Sequence, residues 1–149
     1  MHKIVNFNEL YFNIITSTHD ISPTLLNYHL SENGNHQMNV DKYPYTLFDF
    51  EMKDRSKYLD QLKILVNNLH QLGIVHNDLS EENIVISKEG IVKLIDFGRS
   101  KLIQNITQED IEDRSDEFNL SLSSKQDYLN SQLDELVYIC TGKFASKTY

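Results

Sequence analysis

Cysteine is nearly absent: Cys140 is the only one among 149 residues, so the chain can form no internal disulfide. A reducing, intracellular setting is the simplest reading of that usage. Glycine is scarce, with five residues at positions 34, 73, 90, 98 and 142, and none of them fall into a G-x-G-x-x-G pattern. That excludes a glycine-rich loop of the kind that lays backbone amides along a nucleotide's phosphates. Proline occurs twice and tryptophan not at all. Basic residues are outnumbered 14 to 22, for a net charge of −8. Such a balance argues against general binding to nucleic acid or to an anionic membrane. No apolar run approaches the roughly 18 residues of a membrane span. Residues Met1 to Asn6 carry no signal-peptide core, so a cytoplasmic location is expected.

What is present suits one domain with an ordinary core, since 40% of the residues are hydrophobic. Phe7, Leu10, Tyr11, Ile14 and Ile15 recur at helical spacing, with Asn6 or Asn8 as cap and an end at Asp20 to Pro23. Residues 25–31 and 36–43 read as strands joined by the turn Glu32-Asn33-Gly34-Asn35, and Pro44 breaks the second. Residues 56–72 read as a helix with a leucine stripe, closed by Gly73. An irregular stretch, 74–83, leads to strands at 84–87 and 92–95 around Lys88-Glu89-Gly90. The acidic run 108–118 is expected to be a solvated loop or helix face. A loop at 121–126 precedes a helix at 127–141, with Leu129, Leu133, Leu136, Val137 and Cys140 on one side.

Asp78, Asn83 and Asp96 are the residues that point to chemistry. Asn83 lies five residues after Asp78, before a strand, and Asp96 ends the next strand ahead of Phe97-Gly98. A hairpin between Asn83 and Asp96 brings the set together on loops, where functional side chains usually sit. Phosphoryl transfer requires such a set. A carboxylate and an amide carbonyl hold a hard divalent cation over the phosphates. A second carboxylate orients the attacking hydroxyl and takes its proton.

The run Leu69-His70-Gln71-Leu72-Gly73-Ile74-Val75-His76-Asn77-Asp78-Leu79 resembles the helix and catalytic loop of the protein-kinase superfamily, and Ile95-Asp96-Phe97-Gly98 resembles its metal-binding motif. The spacings, 5 from Asp78 to Asn83 and 18 from Asp78 to Asp96, match that family. The resemblance implies an α+β fold, a helical C-lobe with a remnant of the N-terminal sheet. Residues 1–45 would be the remnant and hinge, and 46–149 the C-lobe, of one truncated domain. It implies ATP and Mg²⁺ as cofactors, Asp78 as catalytic base, and Asn83 and Asp96 as metal ligands. His76, Phe97 and Gly98 take structural roles. Residues 41–43 would be the hinge, with Asp41 and Tyr43 near adenine. Glu9 would fall on the regulatory helix, although by helical position alone it reads as a surface residue.

The chain also departs from the family pattern. Lys3 is the only lysine before Lys42, and six residues before Glu9 it reads as part of the same helix. A strand lysine that pairs Glu9 is therefore expected to be missing. Asn77 stands where the family has an arginine that reads a phosphorylated loop, so dependence on such phosphorylation is not expected. Leu79-Ser80 resembles the RIO-type, aminoglycoside and choline kinases, and no Ala-Pro-Glu motif follows. Three functions are compatible. The first is an ATP- and Mg²⁺-dependent kinase acting on Ser/Thr of a protein. The second is a catalytically impaired binding module that regulates a partner kinase, similar to truncated viral kinase mimics acting in a host cell. The third is a small-molecule kinase. An unpaired sheet edge would invite a partner or a dimer.

Overall fold

A computed structural model describes residues 1–143 of the 149. The chain opens on a strand, β1 (His2–Val5), and turns at Asn6 into α1 (Phe7–Thr18). The Asn6 side chain accepts from the Glu9 amide at 2.9 Å, which satisfies one of the free donors at the helix start. β2 (Leu25–His29) and β3 (His36–Val40) follow. β3 is central and antiparallel to both neighbours, so the sheet order is β1-β3-β2, with Lys3 and Tyr28 both opposite Met38. Gly34 makes the turn at φ +83°, a region open to glycine. Val5, Leu10, Met38 and Val40 form a small core between sheet and helix.

The rest of the chain packs around two helices. β4 (Tyr45–Thr46) leads through short turns to α2 (Met52–Arg55) and α3 (Leu59–Gln71). The stretch 56–58 is a tighter 3₁₀ turn, so the expected helix at 56–72 begins its regular part later. Leu62, Val66 and Leu69 are the residues of its stripe that are buried. Then come β5 (Ile74–Val75), β6 (Ile84–Ile86), β7 (Val92–Leu94) and β8 (Lys101–Leu102). β4, β6 and β7 form one antiparallel sheet, and β5 pairs with β8. The acidic run is a helix, α4 (Gln108–Phe118), with a capping box from Thr107 and Asp110. Its acidic residues do form a solvated helix face, with Glu109, Glu112, Asp113, Asp116 and Glu117 exposed, while Ile111 and Arg114 turn inward.

α5 (Lys125–Thr141) starts two residues before the sequence pattern placed it, because the Ser124 hydroxyl caps Asp127. Its buried face follows the expected stripe only in part: Leu136 and Cys140 are fully buried, but polar residues join them. Tyr128, Ser131, Gln132, Asp134, Leu136 and Cys140 are buried, whereas Leu129, Leu133 and Val137 are half-buried. A helix packed against α3, α2 and α4 at once buries polar residues along with apolar ones.

The most consequential difference lies at the N-terminus. Lys3 is on strand β1, outside α1, and it does pair with Glu9. The expectation of a missing strand lysine is therefore corrected. Glu9 is not a surface residue either; it is buried at 6% exposure.

Candidate active site

Two loops carry the expected residues, and each is pinned at both ends. The loop 76–83 leaves β5 and enters β6, while 95–100 leaves β7 and enters β8. Pairing of β5 with β8 (Val75 opposite Lys101) and of β6 with β7 (Ile84 opposite Leu94) fixes all four ends. The loops are also bonded to each other. The Ile95 amide donates to the Asn83 carbonyl at 3.0 Å, and the Ser100 hydroxyl to the His76 carbonyl at 3.1 Å. Asn77 donates from its side chain to the Arg99 carbonyl at 3.2 Å.

His76 is the hub of this lacing. It is 1% exposed, its Nε2 lies 2.9 Å from the Ile95 carbonyl, and its Nδ1 accepts from the Asp78 amide at 3.1 Å. Only the neutral ring with hydrogen on Nε2 satisfies both contacts. Burial pushes its pKa down, against the upward pull of the Ile95 carbonyl and of Asp78 and Asp96. The Phe97 ring, fully buried, meets it edge-on at 4.9 Å. His76 thus positions the loop and is sealed from any reacting group.

Asp78 and Asn83 are bonded to each other, and Asp96 follows Ile95, whose amide the Asn83 carbonyl holds. The Asn83 amide nitrogen donates to the Asp78 carbonyl at 2.9 Å and to its carboxylate at 3.3 Å. That spends the donor end of Asn83 inward and leaves its carbonyl oxygen as an acceptor for a ligand. Asp96 is held at φ +63° and Asn77 at φ +70°. Side chains seldom adopt this region, and where they do the surrounding structure imposes it. Asp96 Oδ1 accepts from the Gly98 amide at 3.3 Å.

Two further groups reach the site. Lys3 Nζ lies 3.2 Å from Glu9 Oε1 and 3.9 Å from Asp96 Oδ1. Burial raises the Glu9 carboxyl pKa, Lys3 opposes that rise, and Asp96 adds to it. A Cβ on Gly98 would sit 3.2 Å from Glu9 Oε1 and 3.3 Å from Asp96 Oδ1. Glycine is thus the residue that lets α1 and the 95–100 loop approach. Sequence reasoning missed Lys3, although a signal existed: an Asn6 cap starts the helix after Lys3 and leaves it on the preceding strand.

The expected hinge residues, 41–43, lie between β3 and β4, with the Asp41 amide bonded to the Thr24 carbonyl at 2.9 Å. Asp41 and Tyr43 line a cavity of about 400 Å³ shared with Ser87, Lys88 and Glu89. Burial raises the Tyr43 pKa, and the charges of Asp41, Asp20 and Glu89 raise it further. No three His, Cys, Asp or Glu side chains among the described residues form a metal cage. Asp96 and Asn83 offer a carboxylate and an amide carbonyl, hard oxygen donors of the kind a magnesium ion takes one or two of from a protein. No helix among the described residues is long and apolar enough to cross a membrane.

The geometry has counterparts in known proteins. The family model for the protein kinase domain matches residues 8–120, a span that holds Asp78, Asn83 and Asp96 but leaves out Lys3. The chain is 44% identical over 61 residues to the serine/threonine-protein kinase greatwall of Canis lupus familiaris, covering 41% of this chain and 7% of that relative. It is 36% identical over 81 residues to the probable serine/threonine-protein kinase RTK1 of Saccharomyces cerevisiae, covering 50% of this chain and 13% of the relative. With ribosomal protein S6 kinase alpha-3 of Mus musculus it shares 46% over 52 residues, covering 35% and 7%. The chain therefore spans only a small part of the length of these relatives. With its matched span and its α+β fold, the chain belongs to the protein kinase domain family.

Proposed function

We propose that this chain is a phosphotransferase that moves the γ-phosphate of ATP, with Mg²⁺, to a serine or threonine hydroxyl of a protein. The observation that carries the proposal is the reach of Lys3 to both Glu9 and Asp96, beside the Asp78–Asn83 pair. A lysine between those carboxylates supplies a fixed cation at the edge of a metal-ligand carboxylate, where phosphate charge would lie. Bound magnesium nucleotide would supply the transferable phosphoryl group and neutralise charge on its oxygens.

The chain's own residues do the rest. Asp96 and the Asn83 carbonyl oxygen would hold the metal. Lys3, oriented by Glu9, would grip donor phosphate. Asp78 would orient the acceptor hydroxyl and accept its proton at a carboxylate oxygen, while the Asn83 amide steadies that carboxylate. Asp41 and Tyr43 would bound the adenine side. The setting proposed is cytoplasmic.

The test is titration calorimetry with ATP, with and without Mg²⁺, followed by radiolabel transfer to a serine peptide. Binding that requires Mg²⁺ and vanishes in Asp96→Ala is the expected result. Undetectable binding at millimolar ATP would sink the proposal. One observation favours a second reading, a module that docks on a partner kinase. β1 is an outer strand of its sheet, and Ile4 and Phe7 beside it are more than 60% exposed. Such an edge can accept another strand. Under that reading, complex formation survives Asp78→Ala.

A further inference from the structure

A cavity of about 380 Å³ opens beside the residues that follow Asp78. Its walls are Leu79 of that loop, Met52 of α2, Phe118 at the end of α4 and Ile139 of α5. Ser80 and Glu81, the next residues after Leu79, complete its inner rim. It therefore begins one residue from Asp78.

The charged groups around it are already matched. Arg55 pairs with Glu81 at 2.5 Å and bonds the Phe50 carbonyl at 2.9 Å. Arg114 pairs with Glu135 at 3.2 Å, donates to the Ser131 hydroxyl, and lies over the Phe118 ring at 4.4 Å. Glu135 is close enough to Asp78 for its carboxyl to feel that charge, although burial is the main cause of its raised pKa. Both carboxylates on the wall are spent on buried arginines. A cationic acceptor would meet carboxylates already neutralised by arginines, and so gains little there to offset its own desolvation. An uncharged, apolar group enters without that cost.

We infer that this cavity is the acceptor-recognition pocket of the chain, and that it takes a large aliphatic side chain of a protein segment whose serine or threonine sits at Asp78. The inference rests on the kinase reading of Asp78 and names its acceptor chemistry. The volume suits one such side chain and not a folded domain. The matched charges select against lysine, arginine and aminoglycoside-like amines, and the apolar walls select for leucine, methionine or isoleucine. Discrimination of this kind is worth about ten- to two-hundredfold for a hydrophobic pocket.

The experiment measures binding and transfer separately. Fluorescein-labelled peptides with one central serine carry leucine, alanine or lysine at each flanking position in turn. Anisotropy is read on the full chain and on Met52→Glu. Met52 is 44% exposed, so this change sets a charge at the rim without touching the core. Leucine is expected to bind about tenfold tighter than alanine at one position. Met52→Glu is expected to erase that preference, and Met52→Leu to restore it. Absence of an apolar preference at every position overturns the pocket, as does its persistence in Met52→Glu, or preferred binding of the lysine peptides. Phosphate transfer to the same peptides is scored in parallel. Selective binding without transfer keeps the pocket and rejects the kinase reading. Transfer without selectivity does the reverse.

Discussion

The paired loops at 76–83 and 95–100 and the sheet that precedes them are held by different means. The loops are fixed by strand pairing at both ends and by hydrogen bonds across, with His76 and Phe97 packed beneath. The β1-β3-β2 sheet has a core of four buried apolar side chains, and β1 is bonded on one side only. α1 and the turn after it join the main core through Phe12 and Ile21, whereas the sheet's own polar links towards the loops are fewer. Lys3 reaches Asp96, Asn8 donates to the Ser100 carbonyl at 3.5 Å, and the Leu94 amide donates to the Ile21 carbonyl at 2.9 Å. The difference teaches that Asp78, Asn83 and Asp96 sit on loops pinned at both ends, while Lys3 reaches Asp96 from a strand paired on one side. Geometry at Asp78 and Asp96 should thus survive changes that disable Lys3.

The largest test of that division is Asp78→Ala. Transfer is expected to fall by about 10²–10⁴, with no loss of thermal midpoint, because the side chain makes one bond to Asn83. Comparable transfer in the variant would show that Asp78 is not the base. Next in size is Lys3→Met. Transfer should drop by roughly 10²–10³ while Mg²⁺ dependence stays, as expected for loss of one fixed electrostatic partner. Unchanged rates would make β1 a purely structural strand and break the comparison.

A smaller effect is expected at the back of the loops. Tyr128 donates to the Asn77 side chain at 2.6 Å, and Gln132 reaches the same oxygen at 3.4 Å. Asn77 thus ties the catalytic loop to α5 without any phosphate. Tyr128→Phe should cost about 1 kcal/mol in urea unfolding, the net worth of one buried bond. Phosphatase treatment of the purified chain should not change its transfer rate, and a fall would show that a phosphate does hold the loop.

The smallest prediction concerns pH. His70 on α3 has a sealed Nε2 with no hydrogen-bond partner, and burial lowers its pKa from 6.5 to about 4. The unfolded chain then binds the extra proton first as pH falls. Stability from this group is full above pH 6.5 and is lost between 6.5 and about 4. His76, also depressed by burial, acts in the same direction below 6.5. Glu9 and Glu135, raised above 4.5, oppose both at the acid end of that range. His70→Leu should flatten the slope between pH 6.5 and 5 by about 1 kcal/mol in all. An unchanged slope would place that titration elsewhere.

The site was legible where chemistry and local order coincide. Asp78, Asn83 and Asp96 could be read because a loop, a strand hairpin and a second loop follow each other directly, so spacing sets their meeting. Lys3 could not, because its partner Asp96 lies 93 residues away and that contact is created by the sheet and α1 together. The Asn6 cap was visible, but the strand before it is four residues long and makes no pattern by itself. The α5 face was legible only in part for a related reason. Leucine spacing marks a helix buried on one side, and α5 is covered on several, so Ser131, Gln132 and Asp134 go inward. The acidic run was read as a solvated face and is one, but its composition hid Arg114, which fixes α4 to α5.

The closure of both loops at both ends also sets a timescale. Local opening needs strand pairs to part, and the two pairs that close these loops would have to part together. In heavy water the amides of Asp78 and Ile95 should then exchange only as fast as the whole domain unfolds, over hours. The outward amides of β1 should be replaced within seconds. A nucleotide would then find Asp78 and Asp96 on loops closed at both ends, and Lys3 on a strand paired on one side only.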